Sequence, residues 1–257
     1  MIKEIRVVDK KRGILQCTSV DERWYIKSTT DTTTGLPVYE YVPSVTWIAE
    51  HYPKGIAFYK WLAGKGWDEA EALKNAAADK GSKVHQAIGD LIDGKEIRID
   101  TKYKNPTTEK EEEFTLEEYE CIMAFADWFK KVNPEIIDRE CVVWGDGYAG
   151  TVDLLCKIDG KVYIVDFKTS QYIWPSMELQ ISAYKHAYKQ PDISIVQVED
   201  NINLAILQLG YRLNKNKYKF TEVEDNYQEF LAAKLIWAKE QKGVCPKQRD
   251  FPLAIKL

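Results

Sequence analysis

The sequence predicts an α/β protein in which a helical layer precedes a β-rich C-terminal half. Apolar residues recur at helical spacing before Pro134, whereas short runs rich in Val, Ile and Tyr follow it, separated by Asp-Gly turns. The order of elements is helices, a β-meander, a helix, a β-hairpin and a last helix. That order is typical of one α/β domain.

Residues 1–42 differ in character and predict a β-hairpin region. Apolar and polar residues alternate in residues 23–27 and 38–42, on either side of a Thr-rich turn. From residue 43 to 133 the pattern is helical, with a break at Pro53-Lys54-Gly55. Within that helical layer we expect helices at about 68–93 and 116–131, and a mobile loop at the polar, acidic residues 95–113.

The β-rich half, residues 134–257, completes a single predicted domain that covers residues 43–257. Strands are expected at 140–144, 148–158, 161–169, 202–211 and 218–223, with helices at 176–189 and 224–242.

Composition argues against several classes of protein. Five cysteines lie far apart without a Cys-x-x-Cys pair, which argues against a disulfide framework, a zinc knuckle or an iron–sulfur cluster. No stretch approaches the roughly 20 apolar residues of a membrane span, and no signal peptide is recognisable, so we expect a cytoplasmic protein without a membrane partner. The net charge of −4 argues against a protein that coats nucleic acid.

The basic residues Arg212, Lys215, Lys217 and Lys219 form either a local groove for nucleic acid or, more commonly, a solvated face.

Two Asp-Gly pairs predict the register of the β-meander. Asp146-Gly147 and Asp159-Gly160 each lie between β-like runs, and Asp-Gly is favoured in two-residue type I′ hairpin turns. Such turns would place Asp153 directly opposite both Asp166 and Glu140, with all three carboxylates in a row on one face of the sheet. A slip of one residue in either turn would move an acid to the other face.

This row of acids predicts a metal site. Carboxylates about 5 Å apart repel by roughly 3 kcal/mol at an effective dielectric near 20. Divalent cations such as Mg²⁺ and Mn²⁺ relieve this repulsion because they prefer oxygen ligands. Lys168 lies two residues after Asp166 and would project from the same face, where a lysine can orient an attacking water or, as the neutral amine, deprotonate it. The chain has six acid-x-Lys triplets, but only this one ends an apolar strand opposite another acid. The alternative is a lysine that points to solvent.

Four ordered motifs resemble a known family of nucleases. These are Gly81-Ser82-Lys83-Val84-His85, Gly150-Thr151-Val152-Asp153, Asp166-Phe167-Lys168 and the Gln180 to Tyr184 segment. They resemble the Gly-Thr-x-x-His, GxxD, DxK and QxxxY series of RecB-like PD-(D/E)XK nucleases, with Ser82 in place of Thr. The layout from Pro43 to Tyr184 is similar to that of mitochondrial genome maintenance exonucleases and their phage and bacterial relatives. The resemblance implies a restriction-endonuclease-like core, in which helices flank a mixed central β-sheet, plus the helical N-terminal layer.

The resemblance also implies roles for individual residues. Metal ligands would be Asp153, Asp166, His85 and the main-chain carbonyl of Phe167, with Glu140 available to a second metal. Lys168 would serve the nucleophilic water, while Gln180 and Tyr184, which are four residues apart on one helix, would brace this lysine or touch the DNA backbone. Without the downstream acids, His85 would be a core histidine because it shares an apolar helical face, but together with them the ligand role is favoured. His51 and His186 have no comparable context, and we expect them to be structural. Trp174 is expected to pack, with contact to a nucleotide base as the alternative.

The expected function is therefore that of an Mg²⁺- or Mn²⁺-dependent deoxyribonuclease. An exonuclease that acts on single-stranded DNA or DNA ends is favoured, with a replication or recombination protein as a possible partner. A non-catalytic nucleic-acid-binding or accessory protein on the same fold is one alternative. A carboxylate-based metal hydrolase acting on another phosphoester is a second.

Overall fold

A computed structural model describes residues 2–19, 22–188 and 201–246, which form a mixed α/β structure. These residues contain eleven strands in three sheets and six helices. The last residues of the predicted domain, from 247 onward, and Lys189 of the predicted helix 176–189 lie outside the described residues. Among the helices described, none is both long enough and apolar enough to cross a lipid bilayer.

The N-terminal region is a four-stranded antiparallel sheet. Its strands, in sequence and in spatial order, are β1 (Ile2–Asp9), β2 (Ile14–Ser19), β3 (Arg23–Thr30) and β4 (Pro37–Pro43). The expected hairpin is present as β3 and β4, with Tyr25 opposite Val42 and Lys27 opposite Glu40. The sheet differs from the expectation in size, because β1 and β2 extend it by two strands.

Four helices lie between the two large sheets in sequence. They are α1 (Val45–Ala49), α2 (Ile56–Lys65), α3 (Trp67–Ile92) and α4 (Leu116–Val132). The Ser44 side chain caps α1, and Thr115 forms a capping box with Glu118 at the start of α4. The expected break at residues 53–55 separates α1 from α2. Residues 95–113 are not a simple loop, because they contain a small hairpin of β5 (Tyr103–Lys104) and β6 (Glu111–Glu112) with Tyr103 buried.

The central sheet has five strands in the order β11-β10-β9-β8-β7. Its strands are β7 (Glu135–Gly145), β8 (Tyr148–Ile158), β9 (Lys161–Lys168), β10 (Ile202–Leu209) and β11 (Tyr218–Val223), with α5 (Pro175–Tyr188) and α6 (Tyr227–Glu240) completing the fold. Only the β9–β10 pair is parallel, so the sheet is mixed. Leu154 lies opposite both Val165 and Arg139, which confirms the predicted register of the meander.

The two meander turns differ from each other. Asp159 and Gly160 both have positive φ, at 49° and 76°, as a type I′ turn requires. At the other turn only Gly147 has positive φ, at 68°, which fits a type II turn and corrects the prediction of type I′ there. Both loops still have two residues, so the register is unaffected.

Helices cover both faces of the central sheet. On one face α1, α5 and α6 enclose a core that includes Val152, Ile164 and Ile206. On the other face α3 and α4 enclose a core that includes Leu154 and Val165. The N-terminal sheet packs at the β7–β8 end through a third cluster. Its attachment includes a hydrogen bond from Arg12 to the Val142 carbonyl and a bridge between Ser44 and Ala149.

A buried ion pair joins α3 to α4. Lys83 Nζ lies 2.9 Å from Glu118 Oε1, and both side chains are almost fully buried. Glu118 also accepts from the backbone nitrogen of Thr115. Since Lys83 lies two residues before His85, this pair positions the part of α3 that faces the central sheet.

We predict that Lys83→Met lowers the free energy of unfolding by about 3 kcal/mol, because it leaves the Glu118 carboxylate buried without its partner. Adding Glu118→Gln should recover much of this loss. Lys80→Met, one turn earlier, is the control, since its partner Glu117 is largely exposed and the pair should contribute less than about 1 kcal/mol. Urea unfolding measures all three. Equal effects of Lys83→Met and Lys80→Met would contradict a structural role for the buried pair.

Candidate active site

A cleft of about 880 Å³ opens where α3, the central sheet and the N-terminal sheet meet. Its walls include His85 from α3, Asp153 and Asp166 from the central sheet, and Arg6 and Tyr25 from the N-terminal sheet. The predicted site residues therefore surround one cavity. Their side chains come from segments more than 80 residues apart in sequence, as the contact between His85 and Phe167 shows.

The regular pairing of the meander is interrupted at the cleft. The β8–β9 ladder ends at Leu154 and Val165, one step before Asp153 and Asp166. Val152 lies in the core under α5, and Leu154 lies in the core under α3 and α4, although residues two apart on a regular strand share a face. The alternation of side chains between the two faces of the sheet is therefore interrupted in β8 at Asp153. For this reason the expected single row of three acids is only partly present.

Three side chains converge on one point of the cleft. His85, Glu140 and Asp153 each offer a ligand atom, and these atoms lie within 4.8 Å of one another. His85 Nδ1 is 3.3 Å from Asp153 Oδ1, and His85 Nε2 is 3.1 Å from the Phe167 carbonyl oxygen. The Phe167 backbone nitrogen donates to Asp153 Oδ2 at 2.7 Å. The structure thus brings together the expected ligands His85, Asp153 and Phe167, with Glu140 beside them.

Glu140 is held in an unusual backbone conformation. Its φ is 48°, in the left-handed region that costs a residue with a side chain roughly 1–2 kcal/mol. The neighbouring pairs, Arg139 with Leu154 and Cys141 with Val152, keep the strand register on both sides. The strain is therefore confined to the one residue of β7 that reaches the ligand cluster. Strain of this kind concentrates at functional sites.

Asp166 and Lys168 face the other side of the cleft, toward α5. Lys168 Nζ lies 2.6 Å from Asp166 Oδ2 and donates to Gln180 Oε1 at 3.2 Å. Gln180 Nε2 in turn donates to the Tyr184 hydroxyl at 2.6 Å. Gln180 and Tyr184 therefore form a chain that braces the lysine.

Gly150 explains how the Tyr184 ring reaches this position. A Cβ atom at Gly150 would lie 2.3 Å from Tyr184 Cε1, so a larger residue would displace the ring. The first residue of the Gly150 to Asp153 motif thus provides space for the last residue of the Gln180 to Tyr184 motif. This packing links the two motifs physically.

The electrostatics of the cleft are those of crowded acids. Burial raises the pKa of Glu140, and the Asp153 carboxylate raises it further. Burial raises the pKa of Asp166 to about 6, with Lys168 opposing the shift and Asp153 adding to it. Burial alone would lower the pKa of His85, but attraction to Asp153 raises it to about 9. Burial is thus the main cause of the raised pKa of Glu140 and Asp166, with the Asp153 carboxylate adding to both, and that same carboxylate is what raises the pKa of His85.

The donor set fits a divalent cation. The His85, Glu140 and Asp153 ligand atoms all lie within 4.8 Å of one another, near enough for one Mg²⁺ or Mn²⁺ to contact all three. The Phe167 carbonyl adds another oxygen. Asp166 Oδ2 is buried, and among the described residues no partner meets it with hydrogen-bond geometry. Lys168 Nζ is near this oxygen but does not have that geometry. If His85 Nε2 donates to the Phe167 carbonyl, Nδ1 is the ring nitrogen left for a metal.

Other residues singled out from the sequence lie elsewhere. The basic residues Arg212, Lys215, Lys217 and Lys219 are not part of the cleft wall, and Arg212 pairs with Glu117 at 3.0 Å. His51 hydrogen-bonds the Trp47 carbonyl, and His186 pairs with Asp225. The expectation that Trp174 packs is wrong, because its side chain is 55% exposed beside the exposed Tyr172.

The N-terminal sheet contributes residues to the cleft wall that could not be predicted from the sequence. Arg6 and Arg23 line the cleft, and Gln16 and Tyr25 lie beside them. No compact motif marks these residues. The only signal is the alternation in β3, which places Arg23 and Tyr25 on the same face of the strand.

We predict that Glu140→Gly is more stable than Glu140→Ala by about 1 kcal/mol, because glycine adopts positive φ without strain. Both variants remove the same carboxylate, so relief of charge repulsion cancels in the comparison. The control pair is Glu120→Gly and Glu120→Ala on the exposed face of α4, where the order should reverse because alanine favours helix. Urea unfolding of the four variants measures both differences. An alanine as stable as glycine at position 140 would contradict the strained conformation.

Comparisons with known proteins leave the family open. No model of a known protein family matches the chain, and no curated protein matches it either. The fold and the geometry of the cleft therefore carry the functional argument.

Proposed function

We propose that the protein is an Mg²⁺- or Mn²⁺-dependent nuclease that hydrolyses phosphodiester bonds of DNA. The observation that carries this proposal is the convergence of His85, Glu140 and Asp153 in a cleft that also presents Lys168. A histidine and two carboxylates beside a main-chain carbonyl form a ligand set for a divalent cation. A lysine braced next to it is suited to a reaction that develops negative charge on phosphoryl oxygens.

The motif resemblance selects the substrate class. The spacing of His85, Asp153, Asp166, Lys168 and Gln180 follows the order of the RecB-like PD-(D/E)XK nucleases. A mixed five-stranded sheet with helices on both faces is compatible with the restriction-endonuclease-like core of that superfamily. We therefore propose that the chain is a member of this superfamily, and that it acts as an exonuclease on single strands or DNA ends.

Each protein group has a role that follows from its contacts. A bound Mg²⁺ or Mn²⁺ supplies an acidified water and stabilises negative charge on the phosphoryl oxygens. His85, Glu140, Asp153 and the Phe167 carbonyl would hold the ion, and Asp166 adds negative charge nearby. Lys168 has three N–H donors, and one of them binds Gln180 Oε1, while Asp166 Oδ2 lies 2.6 Å from Nζ without hydrogen-bond geometry. The donors that Gln180 does not use can orient the attacking water or contact a phosphoryl oxygen.

The test is cleavage of end-labelled DNA, single- and double-stranded, linear and circular, in EDTA, Ca²⁺, Mg²⁺ and Mn²⁺. Wild type should cut only in Mg²⁺ or Mn²⁺, and sparing of circles would identify an exonuclease. Asp153→Asn and Lys168→Ala should each reduce the rate about 100-fold or more, since each removes a group that acts at the reacting phosphate. Lys102→Ala is the control, because Lys102 belongs to an exposed Asp-x-Lys triplet outside the cleft.

Full activity of a purified Lys168→Ala would remove the lysine from the mechanism. If no DNA is cut in any metal, and wild type and Asp153→Asn bind DNA equally, the catalytic proposal fails. A non-catalytic nucleic-acid-binding protein would then be the better account.

A further inference from the structure

The cationic side chains that line the cleft fall into two groups. Those contributed by α3 and the central sheet each have an acidic partner: Lys80 with Glu117, Arg139 with Asp93 and Lys168 with Asp166. Arg6 and Arg23, which the N-terminal sheet contributes, have no carboxylate within 4.0 Å among the residues whose side chains the structure describes, which are 6–18, 22–36, 38–188 and 201–246. Their charge is therefore available to a ligand in the cleft.

Arg6 belongs to a polar row that crosses the N-terminal sheet. In the strand register Arg6 lies opposite Gln16, and Gln16 lies opposite Tyr25, so the three side chains share a face. Arg6 Nε donates to Gln16 Oε1 at 2.9 Å, and Gln16 Nε2 donates to the Tyr25 hydroxyl at 2.8 Å. The Tyr25 hydroxyl is 3.0 Å from Thr151 Oγ1, two residues before Asp153. The row thus connects Arg6 to the strand that carries a metal ligand.

This row of hydrogen bonds orients the Arg6 guanidinium and occupies only one of its three nitrogens. The bond to Gln16 uses only Nε, so the two terminal nitrogens of Arg6 keep their N–H donors. Gln16 and Tyr25 are almost fully buried, which fixes the attachment point. Arg23 lies two residues before Tyr25 on the same strand face and is exposed to the cleft. A fixed guanidinium fork with free N–H groups matches the geometry of phosphate oxygens.

The acidic groups explain why such cations are needed. Glu140, Asp153 and Asp166 make the cleft repel a polyanion, and the core cations are already paired. Two unpaired arginines opposite these acids would attract the phosphates of the substrate. Because both arginines belong to the N-terminal sheet, this sheet would determine how far those phosphates lie from the acids.

We propose that Arg6 and Arg23 form a phosphate clamp that binds an internal phosphodiester of the substrate strand next to the scissile one. This inference rests on the proposed nuclease function, and it assigns to the N-terminal sheet a role in binding single-stranded nucleic acid. Gln16 is a positioning residue for Arg6.

The experiment measures binding of a fluorescein-labelled, mixed-sequence single-stranded 12-mer in Ca²⁺ at several NaCl concentrations. Arg6→Gln/Arg23→Gln should weaken binding about 10- to 100-fold, because charge-assisted hydrogen bonds to phosphate are lost. The slope of log affinity against log salt should fall by about 0.7, since the clamp contacts one phosphate and each phosphate contact on a single strand contributes about 0.7. Arg6→Lys keeps the charge but loses the fork, so it should keep the wild-type slope with reduced affinity.

The control is Lys11→Gln, an exposed cation of the same sheet that does not line the cleft. It should leave affinity and slope at wild-type values. Each probe is used with a 5′-hydroxyl and with a 5′-phosphate. If the double variant loses affinity for both probes, the clamp binds an internal phosphate. If it loses affinity only for the 5′-phosphorylated probe, the proposal is overturned in favour of a terminal phosphate.

Two further outcomes distinguish failure of the phosphate clamp from failure of the proposed nuclease function. If wild type binds and cuts DNA, and the double variant binds with the same affinity and slope, the clamp is overturned while the nuclease stands. If wild type neither binds the 12-mer nor cuts DNA in Mn²⁺, the proposed function fails and the clamp fails with it.

Discussion

Repulsion among carboxylates in a partly buried cleft is the constraint on which the rest of the site depends. Glu140 and Asp153 converge on one point, and Asp166 lies nearby with its pKa raised by burial. Protein groups reduce this repulsion only in part, through His85 and Lys168. Glu140 is exposed, but Asp153 is half-buried and Asp166 is almost fully buried, whereas acids kept for stability alone would lie on an exposed face of the sheet. The strained backbone of Glu140 adds to the cost, and this arrangement supports the proposal that the acids bind a cation.

The surrounding structure can be understood as support for this cluster. The buried pair between Lys83 and Glu118 positions α3 and with it His85. On the opposite side, α5 braces Lys168 through Gln180 and Tyr184, and Gly150 gives the Tyr184 ring its space. The N-terminal sheet closes the remaining wall and contributes the unpaired arginines. Three separate parts of the chain thus converge on one cavity.

Local structure could be predicted from the residues themselves, whereas contacts between distant segments could be predicted only where an ordered set of motifs resembles a known family. The meander register followed from two Asp-Gly turns, because a two-residue loop determines cross-strand partners by itself. The expected single row of acids is only partly present, because the backbone is left-handed at Glu140 and the alternation of faces is interrupted at Asp153. Neither feature could be predicted, since no sequence pattern marks it. The N-terminal sheet was underestimated for another reason. Its contact with β8 joins Tyr25 to Thr151, 126 residues away, and no local pattern reports such a contact.

The most direct test of the metal site is a crystal structure of the protein with Mn²⁺ and an anomalous difference map. We predict one strong peak bounded by His85, Glu140, Asp153 and the Phe167 carbonyl, at ligand distances of about 2.0–2.3 Å. The same crystals of Asp153→Asn should show a much weaker peak or none. A wild-type map without a peak in the cleft, at Mn²⁺ concentrations that support cleavage, would contradict the assignment of these residues as the metal centre.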